Sequence, residues 1–540
     1  MRDRTQGYKL SKLLNSCRQT LSSFRSKILN SINRDEITIE SSSAKNIDSH
    51  SKIIDFNYDI DLYLKHFLRK TFEECDITTL DKKNKEEFIQ YTSAKNLDVF
   101  LDAIANLNVF KKKGGTRDYI KELVSFRSIA IPSPFDDSII TSGSSVILDD
   151  KTTVFSFPSE PRILLSSGDM GAGYPLCVVL FVELGLIVKI FPHDWGFSLR
   201  HLLKLQESIS VSGWQIGPVT KSPTLVTGDA NFAHNAWNQL PAIADLIEPL
   251  KAHQDINIVA TNQPLGDLET LFLEIDQSRV HVVNDWELPA QNGPGNLFIV
   301  PGAKYLDIET LERIKTNAHK DISSDFSKLT KAIKASHGPI VWLSIRTANR
   351  TAINLTEVLS EIGIDFLRIY PDGAIILDGH STSMDQKRKP PVTIEDNNRI
   401  VNEDIIVATL IKERINKSLA SKNSVYICVG KTIHESLILS SLASFYFCHH
   451  GTVQHKIGWF NKTNGIVHSN LDVLMTKPAH WVKEQSEIAS LPYYLSADFI
   501  QSVEENSLNP FNDLLRQDNY LIKNVESISR MICDSIKQTI

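Results

Sequence analysis

The chain has 540 residues, of which 42% are hydrophobic and 23% are charged, and its formal net charge is -6. This composition is typical of a globular protein and argues against a disordered, collagen-like or disulfide-stapled chain. Because the net charge gives no electrostatic attraction to nucleic acid, a nucleic-acid enzyme is disfavoured. The six cysteines form no C-x-x-C pair, so neither a disulfide framework nor a zinc knuckle is indicated.

Residues 1–34 carry eight basic side chains and one acidic side chain, and apolar residues recur at every third or fourth position. The pattern predicts a basic amphipathic helix, which can lie on an anionic membrane surface or dock on the protein itself. No run reaches the roughly 18 to 20 apolar residues of a membrane span, and no signal-peptide core is visible. We therefore expect a cytoplasmic protein, with peripheral contact at the inner membrane face as an open alternative.

The sequence pattern changes twice after residue 34. Residues 33–52 are polar and serine-rich, which predicts a linker, and a helical pattern follows from Ile53 to Leu123. We expect residues 1–150 to form an N-terminal helical extension. From about Arg162, short β-rich runs alternate with amphipathic segments, the pattern of a parallel sheet covered by helices. Strands are predicted at Arg162–Leu165, twice within Leu176–Phe191, and at Thr224–Thr227, Ile256–Ala260, Val280–Val283 and Leu297–Val300, with helices at Trp237–Leu250 and Leu268–Ile275.

A second α/β set follows the long amphipathic segment from Ile308 to Ser336. Its strands are predicted at Ile340–Ile345, Gly373–Leu377, Val425–Val429 and Phe445–Cys448, with helices at Asn354–Ile362, Asp404–Leu419, Thr432–Ala443 and Leu521–Thr539. The sequence thus predicts an α/β protein with two Rossmann-like domains, residues 151–335 and 336–540, and a terminal helix that can cross back to the first domain.

The first candidate site follows the predicted strand Thr224–Thr227, where open α/β sheets bind ligands. His234 and Asp229 are the candidate catalytic bases. An imidazole, with an ordinary pKa near 6.5, can take a proton from a hydroxyl at neutral pH. The alternative is a helix cap formed by Asp229 or Asn231, with His234 as a core residue.

Three neighbours of His234 offer the chemistry of a carbohydrate site, which combines an apolar ring face with hydrogen-bonding groups. Trp237 supplies an indole, and Asn235 and Asn238 supply amides. We expect these three residues to bind the acceptor.

The second candidate site follows the strand Ile340–Ile345. Arg346, Asn349 and Arg350 would project into the same crevice, and arginine forks suit a diphosphate. The alternative is a turn with two solvated surface arginines. Asp378, with His380 beside it, ends another strand and can contact a ribose or a base, although Asp-Gly is also a common turn pair.

The third candidate site is the His449-His450-Gly451-Thr452 run, which ends a predicted strand. Backbone N–H groups and the Thr452 hydroxyl at a helix start form an anion site, and Gly451 lets the backbone approach a phosphate.

Two further residues of the same run, Gln454 and Lys456, are included in the predicted donor site, where Lys456 can add a positive charge. The competing hypothesis is a zinc site formed by His449, His450 and His455. It is disfavoured because adjacent histidines at a strand end point in opposite directions and no carboxylate or thiolate completes the set. No metal is therefore expected.

The three motifs, in this order, resemble glycosyltransferase family 61, also known as DUF563. The likeness is carried by Asn231–Pro241, by the arginine-rich turn with Asn354 and Glu357, and by His450-Gly451-Thr452, and it covers residues 224–470. The resemblance implies a GT-B fold, a nucleotide-sugar donor held by the C-terminal domain, and inverting transfer without a metal. The chain departs from the family in having His234-Asn235 in place of the usual His-Trp pair and Thr452 in place of the common alanine.

The resulting hypothesis is transfer of a sugar from a nucleotide sugar to a glycan or lipid-linked glycan, in surface polysaccharide synthesis. The acceptor hydroxyl loses its proton to His234 or Asp229, and cationic groups stabilise the departing diphosphate. Two alternatives stay open. One is a nucleotide-sugar hydrolase or epimerase of the same fold, and the other is a non-catalytic glycan-assembly protein.

Overall fold

A computed structural model describes residues 73–79, 82–149, 151–191, 197–320, 322–348, 350–419, 424–476, 479–503 and 518–539. The chain divides into two compact units, Met1–Tyr58 and Asp59–Ile540, and every described residue belongs to the second. The amphipathic helix predicted for residues 1–34 and the linker at residues 33–52 lie outside the described residues. Within the described ranges, no helix combines the length and the apolar character of a membrane span.

The first part of the described chain forms a six-stranded sheet in the order β1-β8-β7-β6-β5-β4, beside three helices. Its strands are β1 (Glu73–Asp76), β4 (Ser145–Ile147), β5 (Thr153–Ser156), β6 (Ile163–Ser167), β7 (Leu176–Phe181) and β8 (Leu186–Lys189). The helices are α1 (Lys82–Thr92), α2 (Leu97–Leu107) and α3 (Asp118–Phe126), and a small hairpin pairs β2 (Ala130–Pro132) with β3 (Ile139–Thr141). The sheet therefore takes strands from both sides of residue 150, where the helical extension was predicted to end.

The parallel arrangement expected from Arg162 onward is wrong for the first predicted strands. β6, β7 and β8 pair antiparallel, and β1 with β8 is the parallel pair of this sheet. The reason is the length of the connections. The loop between β7 and β8 spans residues 182–185 alone, and a parallel pair needs a crossover of a dozen or more residues.

A four-stranded parallel sheet follows in the order β11-β10-β9-β12. Its strands are β9 (Thr224–Thr227), β10 (Asn257–Ala260), β11 (Val280–Val282) and β12 (Phe298–Ile299), and its helices are α4 (Leu199–Ser212), α5 (Phe232–His234), α6 (Leu240–Asp245), α7 (Ile247–Ala252) and α8 (Leu268–Leu271). The helix predicted at Trp237–Leu250 is interrupted. A π-helical turn at Asn235–Gln239 precedes α6, in which Pro241 cannot donate a backbone N–H.

The second α/β domain contains a six-stranded, all-parallel sheet in the order β15-β14-β13-β16-β17-β18. Its strands are β13 (Ile340–Ser344), β14 (Ala374–Asp378), β15 (Val425–Ile427), β16 (Phe445–His449), β17 (Asn464–His468) and β18 (Tyr493–Tyr494), and a separate antiparallel pair joins β19 (Ile500–Ser502) to β20 (Tyr520–Ile522). The helices, counted from the segment before β13, are α9 (Ile308–Ala318), α10 (Ser324–Lys334), α11 (Leu355–Ile369), α12 (Pro391–Leu419), α13 (Ile433–Ser440), α14 (Thr452–Gly458), α15 (Leu471–Met475), α16 (Ala479–Gln485) and α17 (Val525–Thr539). The predicted α/β class, with two parallel sheets that follow one another along the chain, is confirmed.

The connection back to the first domain differs from the predicted one. The terminal helix α17 begins at Val525, after strand β20, and packs within the second domain, where the Tyr370 hydroxyl donates to the Cys533 carbonyl at 3.2 Å. The segment after α16 makes the return contact instead. The Leu306 N–H donates to the Gln485 carbonyl at 2.8 Å, and the Glu487 N–H donates to the Leu306 carbonyl at 3.0 Å.

In the six-stranded sheet of the second domain, one position requires glycine because a neighbouring side chain approaches its backbone closely. Gly465 of β17 is the register partner of Tyr446 in β16, and a Cβ at Gly465 would lie 2.3 Å from three atoms of the Tyr446 ring. The ring is fully buried, and its hydroxyl accepts a hydrogen bond from Gln454 Nε2 of α14 at 3.3 Å. The glycine therefore makes room for an aromatic ring that supports the helix starting at Thr452.

We predict that Gly465→Ala destabilises the protein by about 1–3 kcal/mol, the usual cost of overpacking a dense core. The measurement is the free energy of unfolding in denaturant. Gly217→Ala is the control, because a Cβ at Gly217 meets no atom within 4 Å. Equal stability of the two variants would contradict the proposed packing.

Candidate active site

A cavity of about 390 Å³ lies between the two α/β domains, at the carboxyl ends of β13 and β14. The first domain contributes Ala230, Asn231, Phe232 and Pro264 to its wall, and the second contributes the larger share. The two walls touch where Asn231 Nδ2 donates to the Thr452 hydroxyl at 3.4 Å. The turns after β9 and after β16, far apart in the chain, therefore meet at one cleft.

Two guanidinium groups lie close together beside Gly451, and one of them, that of Arg346, lines the cavity. A Cβ placed on Gly451 would be 3.5 Å from Nη1 of Arg346 and 3.5 Å from Nη2 of Arg350. Gly451 has a φ of 117°, a conformation that favours glycine, so the turn brings bare backbone against both cations.

The two arginines are buried but differ in their partners. Burial, aided by the Arg350 charge, lowers the pKa of Arg346 to about 10, which leaves it positively charged at neutral pH. Burial likewise lowers the pKa of Arg350. Among the described residues, Arg350 forms no ion pair with a carboxylate, and its Nε is buried without a hydrogen-bond partner. An anion beside Gly451 would supply the opposite charge that Arg350 lacks among the described residues.

His449 fixes the turn that carries Arg350. The His449 ring is buried, and its Nε2 donates to the Arg350 carbonyl at 2.6 Å. Burial, followed by the nearby Arg346 charge, holds the pKa of His449 well below its ordinary value, so the ring is neutral and has one N–H to give. Arg350 itself has a φ of 50°, and His449 therefore holds a left-handed turn in place. His449 acts here as a support for Arg350.

His450 faces Tyr494, with 2.7 Å between His450 Nδ1 and the tyrosine hydroxyl. Burial, together with the charges of Arg350 and Arg346, lowers the pKa of His450 to about 3. The ring is neutral at physiological pH and adds no positive charge to the cleft.

His234 is held in one tautomer by Asn238. His234 Nδ1 lies 3.0 Å from Asn238 Oδ1, and Asn238 Nδ2 donates to the Ala303 carbonyl at 2.7 Å. Because the amide nitrogen of Asn238 is committed to a carbonyl, its oxygen faces the imidazole and accepts the Nδ1 proton. The Nε2 of His234 then carries the lone pair that a general base needs.

Rings connect His234 to the other domain. The His234 and Trp237 centroids are 6.1 Å apart, those of Trp237 and Trp459 are 6.0 Å apart, and His455 stacks on Trp459 at 3.7 Å. Burial lowers the pKa of His455 far below its usual value, and the neighbouring His450 and His234 act in the same direction. The His234 and His455 imidazoles are therefore close enough to interact, although His234 is not among the residues that line the cavity.

Four other predicted residues of the first domain have structural partners. Asp229 is 2% exposed, accepts from the Asn231 N–H at 2.7 Å and pairs with Lys151 at 3.4 Å. Asn235 and Asn238 are buried, and Asn235 Nδ2 donates to Gln239 Oε1 at 3.3 Å. Trp237 is 9% exposed. This placement favours a supporting role for all four over the direct contacts predicted from the sequence.

Among the predicted donor residues of the second domain, some have structural partners and some line the cavity. Lys456 and Asp378 form a buried ion pair, and Lys456 Nζ also donates to the Gly379 carbonyl at 2.7 Å. Gln454 is buried beneath the Tyr446 hydroxyl. Thr452, Arg346 and Lys456 line the cavity, whereas Asn349 lies outside the described residues.

Sequence reasoning missed Asp404, which lines the cavity from the middle of α12. Its carboxylate accepts from the Thr347 hydroxyl at 2.7 Å and from the His380 N–H at 2.7 Å, so it ties together the turns after β13 and β14. Burial raises the pKa of Asp404. The sequence feature that indicates Asp404 is its position as an acidic residue on the apolar stripe of α12, which contains Ala408, Ile411 and Ile415.

Among the described residues, no group of three or more His, Cys, Asp or Glu side chains is arranged to hold a metal ion. Metal independence remains a prediction.

No protein-family model and no curated protein matches the chain. Similar solved structures include a glycosyl transferase family 9 protein from Veillonella parvula, with 10% identity and a TM-score of 0.27 over 52% of this chain and 87% of that one. MnaA of S. aureus with UDP has 13% identity and a TM-score of 0.20 over 51% and 70%. TarM of S. aureus, in complex with fondaparinux, alpha-GlcNAc-glycerol and UDP, has 9% identity and a TM-score of 0.19 over 89% and 90%. TM-scores this low carry no argument about activity, and membership of family 61 remains a prediction.

We predict that the protein loses stability as the pH falls from about 6.5 toward 3, because His450 is neutral in the folded state and protonates in the unfolded chain. The folded-state pKa is depressed, so the stabilisation is present above pH 6.5 and is lost on acidification. His450→Gln should reduce the slope of unfolding free energy against pH by up to about 1.4 kcal/mol per pH unit. The exposed His319→Gln is the control, and an unchanged slope for His450→Gln would contradict the burial of a neutral ring.

Proposed function

We propose that the protein is a glycosyltransferase that moves a sugar from a nucleoside diphosphate sugar to a hydroxyl of a glycan acceptor. The observation that carries this proposal is the pair of buried guanidinium groups of Arg346 and Arg350 facing bare backbone at Gly451. A diphosphate would supply the opposite charge that Arg350 lacks among the described residues, and it is the group that must be stabilised when it leaves the sugar.

The cavity beside the guanidinium pair suits the rest of a nucleotide. It has apolar and polar parts, with Ile345, Pro264 and Ile400 alongside Ser381 and Asn397. At about 390 Å³ it lies within the usual range of small-molecule sites, roughly 300–1,000 Å³. Asp378 and Lys456 support its floor, because Lys456 Nζ donates to the Ser381 hydroxyl at 2.9 Å. Their role in this proposal is therefore to position Ser381 and Gly379.

His234 is the proposed general base. Its Nε2 takes the proton of the acceptor hydroxyl, and the acceptor oxygen forms a bond to the anomeric carbon of the donor. The bond from that carbon to the phosphate oxygen breaks, and the nucleoside diphosphate leaves with the electron pair. Displacement in one step inverts the anomeric centre. Asn238 positions His234, and Asp229 shapes the turn through its bonds to Asn231 and Lys151.

The resemblance to family 61 supports the same reaction class and links it to surface polysaccharide synthesis. A hydrolase or an epimerase that acts on a nucleotide sugar would bind the diphosphate through the same residues. Product analysis distinguishes transfer, hydrolysis and epimerisation. Transfer yields a glycoside of the acceptor, hydrolysis yields free sugar, and epimerisation leaves the bond between nucleotide and sugar intact.

We predict that Arg350→Ala weakens the binding of a nucleoside diphosphate about 10- to 100-fold, because a charge-assisted hydrogen bond contributes about 1.5–3 kcal/mol. Arg350→Lys keeps the positive charge but loses the forked hydrogen-bonding geometry of the guanidinium group. Its affinity for the nucleoside diphosphate should therefore fall between those of the wild type and Arg350→Ala. The measurement is titration calorimetry with UDP, GDP, CDP, ADP and dTDP. Arg399→Ala on the exposed face of α12 is the control. Binding of none of the five, or equal binding by Arg350→Ala, would contradict the proposed donor site.

We predict that His234→Gln lowers kcat about 10²- to 10⁴-fold, the usual contribution of a general base, without weakening nucleotide binding. Asn238→Ala should lower kcat in the same direction by a smaller factor, since the imidazole loses the acceptor that fixes its tautomer. The assay is release of nucleoside diphosphate from the matching nucleotide sugar in the presence of acceptor. Asn235→Ala, also buried, is the control. A His234→Gln variant with unchanged kcat would exclude His234 as the base.

A further inference from the structure

A second cavity of about 920 Å³ lies in the first domain, between α4 and the short helix Asp285–Gln291. Arg200, Lys204, Glu207 and Val211 recur at three- or four-residue intervals along α4 and line one wall. Trp286 lines the opposite wall and is 58% exposed. This cavity, which we call the Trp286 groove, is separate from the cleft that contains Arg346.

The polar side chains of the groove are held in place. Asp149 accepts from Lys204 Nζ at 3.2 Å and lies 3.4 Å from His201 Nε2. Asn292 donates to the Ile147 carbonyl at 2.8 Å and to the Ser208 hydroxyl at 3.3 Å, which anchors α4 to strand β4. The groove therefore has a rigid floor before any ligand enters.

The chemistry of the groove matches a sugar chain. An exposed indole offers a flat apolar face, and charged groups of both signs beside it can donate to and accept from hydroxyls. Arg200, Lys204 and Glu207 lie on one wall and Asp285 on the other, so no single sign of charge dominates. The concave shape and a volume near the upper end of the small-molecule range favour an oligosaccharide over the flatter surface of a protein partner.

The groove is also connected to the turn that carries His234. Lys151 lines the groove, and its Nζ pairs with Asp229 Oδ2 at 3.4 Å. Asp229 in turn accepts from the Asn231 N–H, three residues before His234. A chain lying in the groove would thus approach the turn on which the proposed base is located.

We propose that the Trp286 groove binds the acceptor glycan at sugar units remote from the one that reacts, with a sugar ring stacked on Trp286. This inference rests on the proposed function for its place in the reaction. Binding of an oligosaccharide in the groove can nevertheless be measured without any transfer.

The test uses the full chain and a printed array of neutral and acidic oligosaccharides, followed by calorimetry with the best ligand of the array. The wild-type protein should bind at least one oligosaccharide more tightly than the corresponding monosaccharide. Trp286→Ala should weaken that binding about tenfold or more, and Trp286→Phe should weaken it less. Leu203→Ala is the matched control, because Leu203 is 67% exposed on α4 and does not line the groove.

Nucleoside diphosphate binding distinguishes failure of this inference from failure of the proposed function. Trp286→Ala should leave the affinity for the nucleotide unchanged. If the protein binds nucleotide but no oligosaccharide, or if Trp286→Ala and Leu203→Ala bind the oligosaccharide equally well, the groove is not a glycan site. If oligosaccharide binding depends on Trp286 while no nucleotide binds, the groove is a glycan site and the proposed function is wrong.

Discussion

Arg346 and Arg350 are buried next to one another, and burial of two like charges costs free energy unless an opposite charge is supplied. The fold places them there by several independent means. Strand β13 ends two residues before Arg346, His449 holds the carbonyl of Arg350, and the positive φ of Gly451 leaves space in front of both. Asp404 is the nearby carboxylate, and its oxygens accept from Thr347 and His380. Arg350 forms no ion pair among the described residues, so its positive charge is available to a ligand.

The histidines around this pair follow from the same constraint. Near two cations and away from water, an imidazole is more stable when neutral, and the pKa values of His449 and His450 are lowered accordingly. Neutral rings can serve as directed donors and acceptors. His449 supports a backbone carbonyl and His450 pairs with Tyr494. His234 lies on the turn after β9, three residues beyond Asn231 of the cleft wall, and Asn238 sets its tautomer. We therefore propose that His234 transfers the proton, whereas His449 and His450 act as structural groups.

The sequence predicts the alternating elements of both parallel sheets well, because buried strands such as Thr224–Thr227 and Ile340–Ser344 are short apolar runs with clear ends. It also predicts that the turns after β9, β13 and β16 meet, since carboxyl ends of parallel strands share an edge. It does not reveal which polar residues face the ligand. Lys456 and Asp378 look like a donor site in sequence, yet they pair with each other, and Asp404 reaches the cleft from a helix interior. Such contacts depend on packing between segments distant in the chain. The strand pattern alone does not distinguish parallel from antiparallel pairing, and the short loop between β7 and β8 is the sequence feature that indicates the antiparallel pairing.

The most direct test of the central claim is a crystal structure of the protein with the nucleoside diphosphate that binds it best. The account predicts that the diphosphate oxygens lie within hydrogen-bond distance of the guanidinium groups of Arg346 and Arg350, beside the backbone of Gly451. A nucleotide bound elsewhere, with these two side chains free of phosphate, would contradict it.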